Sequence, residues 1–555
     1  MKAQYDYIVV GAGSAGCVIA NRLSARADVS VLLLESGPGD ESALVKMPRG
    51  IGGLLKPGNP RVFAYEAKQS VGGATEQWLK GRTIGGSSSV NGMVYIRGAA
   101  RDYDAWEAAG CTGWGWDEML RRFVELEDHE LGASAERGSG GPLKVTVPQF
   151  GDAMSEALIA GAEELGVSRV ADINSEQAVA HGGFGYQPVN IWNGRRFSAA
   201  DAFLKPVIGR ANLSVETGAH VTRILFDGKR AVGVRLRELN GEHDVLAARE
   251  VILCAGAIES PRLLQLSGIG PREVLDDAGV QVLVDAPEVG SNLIEHRYMA
   301  VQYRSHGPSQ NEHLRGIGLL ASALKYIFSK KGPLTHGAFE GGGFVKTDPS
   351  LAHPDAQIGV WLFSMADAAR AGAEAGHVKS PAVDRTPGVA VGGYFTQPRS
   401  RGHMRILSSD PDVAPYIDAN YFSDEEDVRR SVAMVRWIRQ LMQTKVVRPL
   451  VVEECVPGAH CQTDAEIRQA ILTYGTTGYH VAGTCRMGAD ARSVVDARLR
   501  VRGVTNLRVM DTSVMPTLVS GNTNAPTQAM ALRAAALILE DAVQEQELRA
   551  VPAPV

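Results

Sequence analysis

The apolar positions of this chain fall into two textures. Tyr7 to Val10 is a continuous β-branched and aromatic run, Cys17 to Leu23 has helical composition, and Val29 to Leu34 is a second continuous apolar run. Short unbroken runs of this kind, bounded by turn residues and separated by a helix, predict parallel strands buried on both faces. The texture returns at Val251-Ile-Leu253, which leads into a helix-like stretch from Ser260 to Leu266. It returns again at Leu507-Arg-Val-Met510, after which Pro526 opens an alanine-rich helix to about Val543. Val221 to Phe226 and Ala231 to Leu236 flank Asp227-Gly228, a hairpin signal. Helical patterns occupy Asp117 to Glu127 and Met154 to Leu165, with a short helix from Ala199 to Leu204. From 300 to 475 the chain alternates strand-like runs, such as Gln357 to Phe363 and Val389 to Thr396, with helices such as Asp427 to Gln443.

The first strand and helix enclose Gly11-Ala-Gly13-Ser14-Ala15-Gly16, and the second strand ends on Glu35, nineteen residues beyond Gly16. That spacing is the fingerprint of a βαβ dinucleotide-binding unit. Gly11 permits the tight turn, Gly13 lets the backbone approach a pyrophosphate, Gly16 lets helix and strand pack closely, and the new helix points its amides at the phosphate charge. Glu35 would accept hydrogen bonds from ribose hydroxyls and repel a 2′-phosphate, which favours FAD or NAD over NADP. The fold class predicted is therefore α/β and α+β. A discontinuous Rossmann-like domain takes residues 1–100, 200–300 and 485–545, and a substrate domain built on a mixed or antiparallel sheet takes 101–199 and 301–484. The stretch 36–60, rich in glycine and proline, reads as lid or linker. In Gly81 to Gly98, bare glycine amides and serine hydroxyls alternate with buried-looking Ile84, Val90, Val94, Tyr95 and Ile96, as suits a chain lying against a flat ring or a phosphate.

At 555 residues the chain implies two or three domains, and 45% apolar with 21% charged residues is an ordinary globular balance. A net charge of −5 with no basic run argues against nucleic acid as a partner. The six cysteines are scattered without a CxxC, which fits free thiols in a reducing, cytoplasmic setting; a local Cys455–Cys461 disulfide is the less favoured reading. No secretory signal is legible and no apolar stretch approaches about 18 residues, so no transmembrane helix is expected. Peripheral membrane attachment stays open, no amphipathic helix being evident for it. No metal-ligand constellation is present, and His220, His296 and His336 read as structural or surface residues.

Two C-terminal segments carry candidate chemistry: Gly478-Tyr479-His480-Val-Ala-Gly483 and Ser520-Gly521-Asn522-Thr523-Asn524-Ala-Pro526-Thr527. Together with the N-terminal fingerprint, Gly81 to Gly98 and Gly256 to Gly270, they give the chain a near full-length resemblance to the glucose-methanol-choline (GMC) oxidoreductases. It looks most like their bacterial alcohol, choline and sorbose dehydrogenases. The resemblance implies FAD. By position, Gly11 to Gly16 and Glu35 match the pyrophosphate and adenosine-ribose site, and Val221 matches a backbone contact to adenine, with Ala255 also placed at the cofactor. Gly86, Asn91, Gly92, Met93 and Val94 match the segment along the flavin. Asp511 and Thr512 match the pyrophosphate and ribityl region, and Asn524 and Thr527 the pyrimidine side of the ring.

His480 matches the family's catalytic base and Asn522 its second catalytic position. An imidazole with an ordinary pKa near 6.5 suits removal of an alcohol proton as hydride leaves carbon for the flavin. Val90 stands near the position where covalent members carry histidine, so FAD is expected to be noncovalent. Glu340 matches a glutamate that helps hold choline in choline-oxidising relatives, but relatives acting on neutral alcohols share it. Phe63 stands where tryptophan is frequent, which weakens a cation cage, and Tyr479 either lines the substrate pocket or packs. The expected reaction is oxidation of an alcohol, a primary one first, to an aldehyde, with electrons passed to a quinone or dye-like carrier. An oxidase using O₂ is the alternative, and an FAD-containing hydroxynitrile lyase is a third reading. The oligomeric state is not legible.

Overall fold

The computed structural model describes residues 2–56, 58–68, 75–307, 309–366 and 382–550. Its first sheet has seven strands, in the order Leu213–Thr217, Val31–Glu35, Gln4–Val10, Gly241–Leu253, Arg230–Glu238 and His220–Asp227, with Leu507–Val509 also pairing with Gly241–Leu253. Ile8 stands opposite both Leu32 and Val251 in parallel register. It is fully buried, as are Val9, Leu32, Leu33 and Ile252, which is why these strands carry unbroken apolar runs. The strand containing Val251 to Leu253 is longer than its apolar core suggests. Its first half, starting at Gly241, pairs antiparallel with the predicted hairpin, so polar residues there face solvent.

Helix Ser14–Leu23 lies between this sheet and helix Asn524–Ala550, which starts two residues before Pro526. Helices Ala100–Ala108 and Trp116–Leu126 also join this core, through Tyr103, Trp106, Phe123 and Leu126. The division of the sequence had grouped them with the substrate region. Within the 36–60 stretch the chain forms short helical turns at Ala43–Lys46, Pro48–Gly50 and Ile51–Leu54. The predicted helix at 199–204 is a π-helical turn, Ala200–Leu204.

The second sheet is antiparallel throughout, in the order Val451–Val456, Arg297–Ser305, Gly388–Phe395, Ala356–Trp361, Gly341–Val345 and Gly183–Tyr186. Helix Glu425–Met442 covers one face, with Val435, Ile438 and Leu441 in its core. Glycines in these strands make room for aromatic rings. A Cβ on Gly392 would stand 2.3 Å from the Tyr298 hydroxyl, and one on Gly359 would stand 2.6 Å from the Phe339 ring. Cys461 is a buried free thiol, so no bridge joins it to Cys455.

Candidate functional site

Residues of both sheets line a cavity of about 500 Å³. Gly11, Gly13, Ser14, Ala15 and Glu35 line it at the carboxyl ends of the central strands, where an open α/β sheet receives a dinucleotide. Gly11 has φ +101°, and a Cβ there would stand 2.6 Å from the Cys254 carbonyl oxygen. Gly16 does not line the cavity; a Cβ on it would collide with the Gly11 carbonyl, so its bareness serves helix–strand packing. Helix Ser14–Leu23 begins without a side-chain cap, leaving its first amides for another acceptor. Glu35 accepts the Ala12 N–H at 3.1 Å and the Gly37 N–H at 2.8 Å, and burial raises its carboxyl to about 7.

The Gly81 to Gly98 segment is tied to this cradle by the Gly85 N–H, which donates to the Ala12 carbonyl at 2.7 Å. A Cβ on Gly86 would lie 2.6 Å from Cα of Gly13, so the two glycine loops meet backbone to backbone. Buried Arg196 clamps the turn by donating to the Ser88 carbonyl and to Asn91 Oδ1, and Met93 adopts φ +63°. Gly86, Asn91, Gly92, Met93 and Val94 all line the cavity, together with Val221, Ala255, Asp511, Thr512, Asn524 and Thr527. Asp511 accepts from the Gly256 N–H and the Ser260 hydroxyl, and Ser14 donates to Asn524 Oδ1 at 2.8 Å. An uncapped helix start, a buried acid beside it and two bare loops fit the phosphates, ribose and flat ring of FAD.

His480 and Asn522 meet at this cavity, with Asn522 Nδ2 3.0 Å from His480 Nε2. Asn522 Oδ1 accepts from Gln357 Nε2 at 3.0 Å, and Gln357 Oε1 accepts the Tyr394 hydroxyl at 2.6 Å. On the other side of the imidazole, His480 Nδ1 lies 2.9 Å from Nδ1 of His296, whose Nε2 is 3.0 Å from the Thr396 carbonyl. These partners assign the protons. A carbonyl only accepts, so His296 carries its proton on Nε2 and its Nδ1 is an acceptor. His480 must then carry its proton on Nδ1, which leaves Nε2 unprotonated and accepting from Asn522 Nδ2 at the cavity. Burial, then His296 and Lys80, hold His480 well below the usual histidine range, and burial lowers His296 to about 3, so both rings are neutral at pH 7.

Glu295 fixes the backbone of this pair. Its Oε1 accepts the N–H groups of both His296 and His480, its Oε2 accepts the Thr477 hydroxyl, and burial raises it to about 7. His296 is thus a buried partner of His480, which corrects the surface half of the sequence reading of it as structural or surface. It has no local motif, and it reaches His480 because Arg297 pairs with Thr477 in the second sheet.

Around the two polar groups the wall is aromatic: Tyr298, Phe339, Trp361 and Tyr394 line the cavity, and Tyr298 and Phe339 both pack against Trp361. The buried Tyr298 hydroxyl has no hydrogen-bond partner among the described residues. None of these four was singled out from the sequence as a site residue, since aromatics in apolar runs read as core. Tyr479 lines the cavity and is 41% exposed. Glu340 does not line it. Its carboxylate is buried against Arg49 at 3.2 Å and His336 Nδ1 at 2.7 Å, behind the wall that Ala338 and Phe339 present. His336 is a buried partner of that carboxylate, and His220 is at the cavity wall.

The family models described as GMC oxidoreductase match residues 5–298 and 398–531. An alcohol dehydrogenase [acceptor] of Pseudomonas putida is 39% identical, the match covering 96% of each chain. The mitochondrial choline dehydrogenase of Homo sapiens is 37% identical over 97% of this chain and 90% of its own. Among solved structures, pyridoxine 4-oxidase from Mesorbium loti superposes with a TM-score of 0.86 at 32% identity, covering 97% of this chain and 99% of that one.

Proposed function

The chain belongs to the GMC oxidoreductase family, FAD-dependent enzymes that oxidise alcohols, and on that premise we propose that it oxidises a primary alcohol to an aldehyde with His480 as base and a non-oxygen electron acceptor. The observation that carries this is the assigned proton pattern, which leaves an unprotonated Nε2 beside an amide donor 3.0 Å away. An alcohol complements both. Its hydroxyl donates to His480 Nε2, and its oxygen accepts from Asn522 Nδ2, which steadies the negative charge as the proton leaves. Gln357 and Tyr394 hold Asn522 in the orientation this needs. FAD, when bound, supplies the acceptor for the hydride.

The positions matched to FAD in the sequence are proposed as its contacts, held noncovalently, because Val90 offers no group that could bond the flavin. For the substrate, the aromatic wall supports an apolar alcohol. Glu340 is already committed to Arg49 and His336, so it is not carried forward as a substrate residue. A non-oxygen acceptor is supported by the likeness to the acceptor-type alcohol dehydrogenase. The likeness to an enzyme named an oxidase keeps O₂ as the second reading.

The test is anaerobic flavin absorbance of the purified enzyme against apolar, polyol and choline substrates, followed by admission of air. Bleaching by an apolar primary alcohol, slowed about 10²- to 10⁴-fold in His480→Ala, supports the reading, and slow reoxidation in air supports a dehydrogenase. Fast reoxidation assigns an oxidase. No bleaching by any alcohol removes the redox proposal and leaves the lyase.

A further inference from the structure

Helix Gly316–Ser329 packs the wrong way round for a globular protein. Its sequence, GIGLLASALKYIFS, carries an apolar stripe at Ile317, Leu320, Leu324, Ile327 and Phe328, the spacing that ordinarily faces a core. In the fold only Ser322 and Tyr326 are buried and the stripe faces solvent, with Ile317 87% and Phe328 85% exposed. Tyr326 seats the helix by donating to the Lys46 carbonyl at 3.5 Å. A solvent-facing stripe of this length marks a surface that something covers.

Charge selects what covers it. Arg315, Lys325, Lys330 and Lys331 stand on or beside the helix, and from His313 to Phe339 there is no aspartate or glutamate. The hairpin of Ile191–Trp192 and Arg195–Arg196 adjoins the end of the helix, since a Cβ on Gly194 would meet the Lys330 carbonyl oxygen at 2.2 Å. It adds exposed Trp192 and exposed Arg195. An apolar stripe edged by lysine and arginine, with a tryptophan beside it, has the composition of an element lying in the headgroup layer of an anionic bilayer. Against these cations the segment 312–339 sets one carboxylate, that of exposed Glu312 just ahead of the helix.

We propose that helix Gly316–Ser329 is a membrane-docking face that lies in the interface of an anionic lipid bilayer. Among the described residues no helix is long and apolar enough to cross a membrane, so the contact is peripheral. Short segments connect the helix to the wall of the reaction cavity. The Ala43–Lys46 turn that receives Tyr326 leads to Ile51, and the chain leaving the helix reaches Ala338 and Phe339; all three line the cavity. Docking would bring the cavity beside the lipid phase, from which an apolar alcohol or a lipid-dissolved carrier could reach it. The inference does not depend on which acceptor the enzyme uses.

The test is flotation of the full-length, flavin-loaded enzyme with vesicles of phosphatidylcholine and phosphatidylglycerol at a molar ratio of about 3:1, and with phosphatidylcholine alone. The expected result is flotation with the anionic vesicles that weakens as salt is raised. The triple variant Leu324→Ser, Ile327→Ser, Phe328→Ser should lower the floated fraction at least about tenfold, with flavin absorbance and turnover of a soluble dye unchanged. Lys330→Glu with Lys331→Glu, an independent surface variant, should remove the preference for anionic vesicles. The proposal is overturned if the wild type floats with neither composition, or if the triple variant floats equally well. It is also overturned if the triple substitution leaves flotation untouched and instead converts a dimer to a monomer in sedimentation, since the stripe would then serve a second copy.

Discussion

As the proposed base, His480 would act through one atom, Nε2, and its neighbours decide what that atom can do. His480→Ala should bind flavin normally yet reduce it about 10²- to 10⁴-fold more slowly, the range for loss of a general base, as read by anaerobic stopped-flow absorbance. His296 is a positioning residue, since it fixes the tautomer of His480 without facing the cavity. His296→Leu should lower kcat with little change in KM and move the acid limb of kcat/KM; in the wild type that limb should lie well below pH 6.5, because burial keeps His480 neutral. His296→Gln, which keeps an acceptor, should recover part of the loss. Glu295 gives a stability prediction with a definite sign. Its folded carboxyl titrates near 7 against an ordinary value of 4.5, so the native state holds its proton longer than the unfolded chain does. The stability it contributes is present below pH 4.5 and lost as pH rises to 7. Relative to wild type, Glu295→Gln should therefore gain stability over that window, by at most about 1.4 kcal/mol per pH unit in urea titrations. The glycine fingerprint and His480 lie in local motifs that one stretch of sequence displays. His296 does not, because it lies 184 positions from His480 and meets it only through strand pairing.

At the scale of elements, glycine does two different jobs. Gly11 combines a left-handed φ with a carbonyl 2.6 Å from where a Cβ would stand, so Gly11→Ala strains the turn and pushes it into Cys254. A cost of about 1–3 kcal/mol and a fall in bound flavin are expected, measured by the ratio of flavin to protein absorbance. Gly392 lies in a strand and makes room for a side chain. Gly392→Ala should displace Tyr298 and alter the alcohol preference while flavin content holds, as read by kcat/KM across a series of alcohols. The first kind of glycine is visible in sequence because its spacing follows the turn. The second is not, since a glycine in a strand does not say which ring lies above it.

For the molecule as a whole, strands from the start, middle and end of the chain share the first sheet, and the cavity takes its walls from both sheets. A ligand held across such an arrangement stabilises the assembled form by mass action. Free FAD at about 100 times its Kd should add about 2.7 kcal/mol, seen as a higher thermal midpoint that depends on FAD concentration. Under the proposed noncovalent binding, acid or heat denaturation should release all the flavin into the supernatant.

Continuous apolar runs, a glycine turn and an acid at the right distance determined the parallel sheet and its dinucleotide site, because each depends on neighbours a few residues apart. His480 and Asn522 were reached differently, through the resemblance of their segments to those of a family, and they are proposed as the reacting pair. Only the tertiary structure decided what surrounds that pair: His296 behind it, Gln357 and Tyr394 orienting it, an aromatic wall in front, and Glu340 turned toward Arg49. It also decided the direction of the stripe from Ile317 to Phe328. A helical period states that one face is apolar, but whether that face meets a core or the outside is set by how the rest of the chain packs against the helix.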